Sequence, residues 1–519
     1  MFPLATTSGP MVWVALSVGV FLYAVRWKRD RSRFPLPPGP KKLPLVQNLF
    51  DMPADRHWET YSNWSKECDS DIIHVGVPGM SIVVLSSMEA ARDLFDKRSS
   101  TYSDRPRLPM LVELMGFTWA IGMMRYGDNW RSHRKIFHEA FNIGAAKQFQ
   151  PRERAAAHNL LRRVLRDPDN TLHHFRHMTG ALIMLVTYGI DVDATDNRYV
   201  QLAEEVMYGL SVASLPGRFL VDTIPALKYV PNWVPGAQFK RQAQHWRESA
   251  DELVETPFAQ AKRDIESGTA MSSFVSVSLA ATAESNKIDR KAAETIIQTT
   301  AANMYAAGAE TTVSALGTFV LGMLANPAVQ QKAQTELDSI IGAGNLPDFK
   351  DQEMLPYVSA IAKEVLRWQN VTPIAIPHYV PVEDEYRGYR IPAGSVVIGN
   401  VWAILHDEEM YPDPQTFNPE RFLLNGKLNP DVRDPATVAF GFGRRICPGK
   451  HLATSSLWIT IASMLATLDI KKARDENGKE VEPTYEYLPG VICTPLPFKY
   501  SITPRSRQAG ETIQATSSD

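Results

Sequence analysis

Residues 440–453, FGFGRRICPGKHLA, set one cysteine between glycines, behind two arginines, and ahead of HLATSSLWITIASMLATL, a run whose apolar residues recur at helical spacing. With Pro448 at the first helical position, Cys447 stands at a helix N-terminus. The positive end of the helix dipole favours a thiolate there, and the thiolate is the form that binds metal. Gly441, Gly443 and Gly449 permit tight turns, so that main-chain amides approach the sulfur and a planar, bulky group can lie against the loop. One cysteine supplies neither a structural zinc site nor an iron–sulfur cluster, both of which need four ligands. Heme iron, which takes one axial protein ligand, remains. A bland alternative stands beside it, because a lone cysteine before a helix is usually an inert core residue. The loop is no dinucleotide fingerprint, since Ile446 occupies the third glycine position of GxGxxG.

Two other clusters have spacing that could serve chemistry. Glu364 and Arg367, in EVLR, are three residues apart on a helix. An exposed pair of that kind contributes ~0.2 to 0.5 kcal/mol, whereas a buried one cannot lose a member cheaply. In AGAETT, Gly308 costs about 1 kcal/mol relative to alanine in a helix, and Thr311 and Thr312 add weak helix formers. Close helix packing at Gly308, with the threonines bonded to carbonyls one turn back, would compensate.

The elements that must position these residues are mostly helical, with a smaller strand component. AAETIIQTTAANMYAAGAETTVSALGTFVLGMLAN, Ala292 to Asn326, is the longest helical stretch. Asp71 to Ser87 and Glu385 to Ile404 read as hairpins. Met11 to Val25 is uncharged and apolar and is followed by Arg26, Lys28, Arg29, Arg31 and Arg33. That order of apolar run and basic cluster predicts a signal anchor with its C-terminal side in the cytosol. FPLPPGP, from Phe34, reads as a stiff extended linker, and Arg505 to Asp519 as a polar disordered tail. The predicted organisation is therefore an anchor and basic stop-transfer segment over 1–33, one body over 34–504, and a tail over 505–519. With 55 basic and 57 acidic residues the net charge is -2, which gives no bulk attraction to nucleic acid. Three cysteines, Cys68, Cys447 and Cys493, are too few and too far apart for a disulfide framework.

Taken together, the motifs resemble those of the cytochrome P450 superfamily, microsomal and fungal in type. FGFGRRICPG matches FxxGxRxCxG at Phe440, Gly443, Arg445, Cys447 and Gly449; EVLR matches the ExxR pair; FNPERF supplies Arg421; AGAETT matches the oxygen-activating stretch; and WRSHR matches WxxxR at Trp130 and Arg134. The similarity runs from the anchor to about Thr503. It implies a mainly α fold with a smaller β component, the P450 fold, behind an N-terminal transmembrane anchor. It also implies heme b with Cys447 as axial thiolate ligand to the iron. Glu364, Arg367 and Arg421 become a buried structural triad holding the cysteine loop. Ala307 and Gly308 open a groove over the heme, and Glu310 and Thr311 deliver protons for dioxygen cleavage. Arg445, Arg134, Trp130 and His378 face the propionates, with Phe440 shielding the thiolate.

The resemblance further implies a heme-thiolate monooxygenase fed by a membrane-bound NADPH-cytochrome P450 reductase, since the chain has no flavin domain or Rossmann fingerprint of its own. Arg131, Lys135, Arg444 and Lys450 are candidate docking cations. Leu108 to Met124, Met304, Tyr305, Ala307, Val371 to Ile376 and Pro489 to Cys493 would line a pocket for a lipophilic substrate, and Ala226 to Phe239 would touch the membrane. The setting is the endoplasmic reticulum membrane, single-pass, with the catalytic body cytosolic. A terpenoid or indole-type aromatic secondary metabolite is the expected substrate, with fatty-acid or xenobiotic oxidation, a P450-fold isomerase or dehydratase, a heme-binding sensor and a non-heme structural protein as the alternatives.

Overall fold

In the computed structural model the described residues are 34–192, 198–215, 217–284 and 289–516. The predicted anchor over 1–33 lies outside them. The helices that shape the molecule are α1 (Asp128–Phe141), α2 (Gln150–Arg166), α3 (Thr171–Tyr188), α4 (Arg198–Ala213), α5 (Gln238–Glu266), α6 (Arg290–Ala325), α7 (Pro356–Trp368), α8 (Lys450–Thr467) and α9 (Arg507–Ala515).

The 36-residue α6 is the axis of the fold. Asp289 starts it by accepting from the amides of Lys291 and Ala292. Its first half belongs to one core cluster, with Ile297, Ala301 and Met304, and its second half to another, with Leu316, Phe319 and Val320. Among the described residues it is the one helix long and apolar enough to span a membrane, but 72% of that window is buried inside the protein. An all-round apolar helix of this kind is a core element. Against it lies α3, joined where Thr179 Oγ1 donates to the Ala309 carbonyl at 2.6 Å.

The Asp71 to Ser87 segment forms the expected hairpin, β1 (Ile72–Val77) against β2 (Met80–Leu85), turning at Gly79 with φ +81°. The Glu385 to Ile404 segment divides instead of making one hairpin. Its first part completes a separate hairpin, Asp384–Tyr386 with Tyr389–Ile391, while Val401–Leu405 is a helix. Between them β4 (Ser395–Gly399) pairs parallel with β2 and antiparallel with β3 (His378–Val380), in the order β1-β2-β4-β3. All five residues of β4 are buried, as a central strand covered on both faces should be.

At the two ends of the body the chain is better anchored than its composition implied. In the proline-rich stretch, the Pro35 carbonyl accepts from the Arg390 amide at 2.7 Å and Pro38 from His74 at 2.8 Å. The tail contains a docked helix where disorder was expected. Ser506 caps α9 through the Ala509 amide, Ala509 and Ile513 are buried, and Thr512 bonds to the Gly344 carbonyl at 2.6 Å. Two apolar residues four apart were too sparse a signal against the polar composition.

Candidate active site

Three backbone features fix the cysteine loop. The Cys447 amide donates to the Phe440 carbonyl at 2.8 Å, closing the loop on itself. Gly443, at φ +56°, lies so close to Phe95 that a Cβ would sit 2.0 Å from the Phe95 carbonyl oxygen. Gly441 and Gly449 border open space, where a Cβ would meet nothing within 4 Å. Gly441 and Gly449 thus leave room for a flat group, whereas Gly443 serves packing and does not line the cavity. The helix begins at Lys450, two residues later than the sequence indicated. Burial pushes the Cys447 thiol up, with a hydrogen bond from Gly449 and the charges of Arg134 and Lys450 pulling the other way.

Cys447 opens onto a cavity bounded by α6, α3, the 119–123 segment, the 371–376 segment and the cysteine loop. Arg105, Arg134 and Arg445 line the same cavity. Arg105 is 3% exposed and donates to the carbonyls of Gly122 (2.8 Å), Ile376 (2.7 Å) and Pro377 (2.9 Å). Arg445 donates to Ser103 (2.7 Å) and Met124 (2.8 Å), and its guanidinium stacks 4.5 Å from the Trp130 ring centre. Among the described residues none of the three forms a carboxylate ion pair. Burial pulls all three below the usual arginine range, Arg445 to about 10. His378 lies with them, neutral because burial and the neighbouring Arg105 lower it, its Nδ1 2.6 Å from the Tyr102 carbonyl and its ring stacked on Phe95.

One buried and two part-buried cations without a carboxylate call for an anionic partner. A planar group with two carboxylates and a metal that takes one sulfur ligand would satisfy the cations, the open glycines and Cys447 together, so the residues fit heme. Arg105 is the member that sequence reading missed. In DRPRLP it stands among charges and prolines and belongs to none of the motifs.

Thr311 lines the cavity, with Oγ1 donating to the Ala307 carbonyl at 2.8 Å. Glu310 turns aside, 3.9 Å from Arg176 of α3, which pairs with Glu204 of α4 at 2.5 Å. Burial raises its carboxyl to about 7, with Glu204 adding and Arg176 opposing. Gly308 borders the cavity, but a Cβ there would meet Ile183 at 2.9 Å, so close helix packing accounts for this glycine first.

Glu364 and Arg367 are both wholly buried and paired at 2.7 and 2.8 Å. Arg421 reaches the same carboxylate at 3.3 Å. The triad's bonds run to the carbonyls of Leu405, Pro412, Asp413, Pro414 and Thr416, and not to the cysteine loop itself. The link is indirect, through Tyr411, whose hydroxyl donates to the Arg433 carbonyl at 2.9 Å, and through the Lys363–Asp434 pair. Other expectations divide. Met304, Ala307, Ile376 and Ile492 line the cavity, whereas Tyr305 and Cys493 do not. Arg131 and Arg444 are engaged with Asp128 and Tyr126.

A mainly helical body with a cysteine loop over a cation-rimmed cavity is an architecture that suits a heme-binding oxygenase. The family model for cytochrome P450 matches residues 37–502. Relatives include cytochrome P450 monooxygenase 98 of Postia placenta, 47% identical over 93% of both chains. Cytochrome P450 monooxygenase ple1 of Rhodocybe pseudopiperita is 44% identical over 97% of this chain and 95% of its own. Tryptamine 4-monooxygenase of Psilocybe cyanescens is 39% identical over 94% and 96%. The chain belongs to the cytochrome P450 family, is of the fungal monooxygenase type, and takes the heme with cysteine thiolate that the family carries.

Proposed function

We propose that the protein is a membrane-anchored monooxygenase that hydroxylates a lipophilic fungal secondary metabolite, with electrons from NADPH-cytochrome P450 reductase. The observation that carries this is the convergence on one cavity of Cys447, Thr311, the buried Arg105 and the part-buried Arg134 and Arg445, three arginines without a carboxylate ion pair among the described residues. Bound heme supplies the reduction of dioxygen and the oxidising power for inserting one oxygen atom into a C–H bond. Cys447 holds the iron, Arg105, Arg134, Arg445 and His378 face the propionates, and Trp130 braces Arg445. Thr311 holds a proton at its hydroxyl on the cavity wall, and Glu310, with its raised affinity for protons, replenishes it from the Arg176–Glu204 side. An isomerase or a gas sensor would have no use for that pair.

Thr311→Ala leaves heme uptake intact but diverts NADPH electrons to peroxide and water. In the parent enzyme coupling falls as pH rises through about 7, because Glu310 loses its proton there; in Glu310→Gln that step disappears. Stoichiometry of NADPH, peroxide and product across pH checks both, and a coupling profile that Glu310→Gln leaves unchanged refutes the relay.

Residues 1–33 anchor the chain in the endoplasmic reticulum with the body cytosolic. The exposed Leu220, Ile224, Tyr229 and Trp233 support contact of that face with the bilayer. Two sequons test the orientation, NWS at Asn63 and NVT at Asn370. Asn370 is buried and uninformative, but Asn63 is exposed. In a eukaryotic host Asn63 remains unglycosylated and protease digests the body in sealed microsomes; a glycan at Asn63 or full protection reverses the topology. For the substrate, the apolar cavity supports a terpenoid, and the relative named as a tryptamine 4-monooxygenase supports an indole-type aromatic.

A further inference from the structure

The cavity's chemistry separates those two substrate classes. Its walls are built from Phe137, Leu182, Ile183, Met207, Met304 and Ile492. Methionines adapt to irregular apolar shapes, and none of these side chains offers a polar atom that fixes a charge. Of the polar wall residues, four are already bonded within the protein, while Trp119 Nε1, a neutral donor that cannot hold a cation, is buried without a partner. Thr179 donates to Ala309 at 2.6 Å, and Thr311 to Ala307 at 2.8 Å. Asn303 donates to Trp119 and Thr299, both at 2.7 Å, while its oxygen accepts from the Ile121 amide at 2.8 Å. Asn370 donates to Leu366 at 3.3 Å and accepts from the Thr372 amide at 3.0 Å.

Charge is distributed with one sign. Among the described residues no aspartate or glutamate lines the cavity, and its ionised residues are Arg105, Arg134 and Arg445. The carboxylate on the wall-forming helix, Glu310, is turned toward Arg176. A protonated amine inside would give up water for apolar walls on which the chain places no aspartate or glutamate, while the guanidiniums and the propionates they face neutralise one another. A carboxylate substrate fares no better, since the propionates occupy the arginines.

We infer that the substrate is a neutral, predominantly hydrocarbon molecule, a terpenoid and not an indole amine, and that the chamber rejects ions of either sign. The inference rests on the monooxygenase reading above. It separates this chain from the relative whose name specifies tryptamine, although the two are 39% identical.

The test uses the full-length heme-loaded protein and reads the ferric heme absorption change on titration. Two matched pairs isolate charge from shape: 3-ethylindole against tryptamine, and dodecan-1-ol against dodecanoate, at a neutral pH where the amine and the acid are both ionised. A panel of neutral sesquiterpenes and diterpenes tests the class. The neutral member of each pair binds tighter by about tenfold or more, and at least one terpene gives a substrate-type shift. A smaller gap in either pair, including tryptamine bound through its nitrogen to the iron, overturns the inference, as does a terpene panel that is silent throughout. The carbon monoxide band of thiolate-ligated heme separates the two levels of failure. With the band present, only the substrate inference falls; with it absent, the monooxygenase reading falls and takes the inference with it.

Discussion

Cys447→Ala abolishes turnover and removes the red-shifted carbon monoxide band that thiolate-ligated heme gives, while leaving the fold in place. Both halves of that expectation come from the loop. Its shape is set by the Cys447 amide on the Phe440 carbonyl, by Gly443 against Phe95 and by the bonds of Arg445 to Ser103 and Met124. None of these uses the sulfur. The alanine variant loses a side chain that faces a cavity, so its apo form unfolds within about 1 kcal/mol of the parent. With the arginines as the proposed propionate partners, residual heme would carry a spectrum without sulfur ligation and no oxygenase activity. Reduced carbon monoxide difference spectra and apo-protein denaturation, taken together, check it. An unchanged band assigns the ligand elsewhere, and a collapsed fold gives the sulfur a structural role that the loop geometry denies.

What the sequence made legible depended on how local each signal was. Cys447, Glu364–Arg367 and Thr311 each sit in short motifs whose spacing is itself the constraint, and the structure brings Cys447 and Thr311 to one cavity and pairs Glu364 with Arg367 in the core beside it. Arg105 has no such motif. Its role arises because residues 105, 134 and 445, far apart in the chain, converge on one cavity, and nothing in its neighbours' composition encodes that. Gly308 answers both readings of its motif, since it borders the cavity while Ile183 on another helix leaves no room for a Cβ. The Glu385 to Ile404 hairpin failed because β4 finds its partners, β2 and β3, outside the segment. Helix α9 was missed because its two apolar contacts are long-range, onto a surface that only the folded body provides.

The triad predicts a ranked series of stability losses, and the ranking is the informative part. Arg367→Ala strands the Glu364 carboxylate, wholly buried, with only Arg421 at 3.3 Å and the Asn418 amide at 2.8 Å as partners. It also frees the carbonyls of Leu405, Pro414 and Thr416. Breaking a buried pair in this way costs ~3 to 5 kcal/mol, against a total stability of about 5 to 15 kcal/mol for a folded domain. Glu364→Ala falls in the same range, because Arg367 is left as a buried cation. Arg421→Ala costs less, since the pair survives and the Pro412 and Asp413 carbonyls it bonds lie near solvent. A double change, Glu364→Leu with Arg367→Leu, destabilises by less than the sum of the single alanine variants, because no charge is stranded. Heme content per protein should follow the same order, with the loss reaching Cys447 indirectly through Tyr411–Arg433 and Lys363–Asp434. Denaturant midpoints and heme-to-protein ratios for the four variants measure it. Equal small losses for all three single variants, or strict additivity in the double, would mean that the pair behaves as a solvated surface bridge.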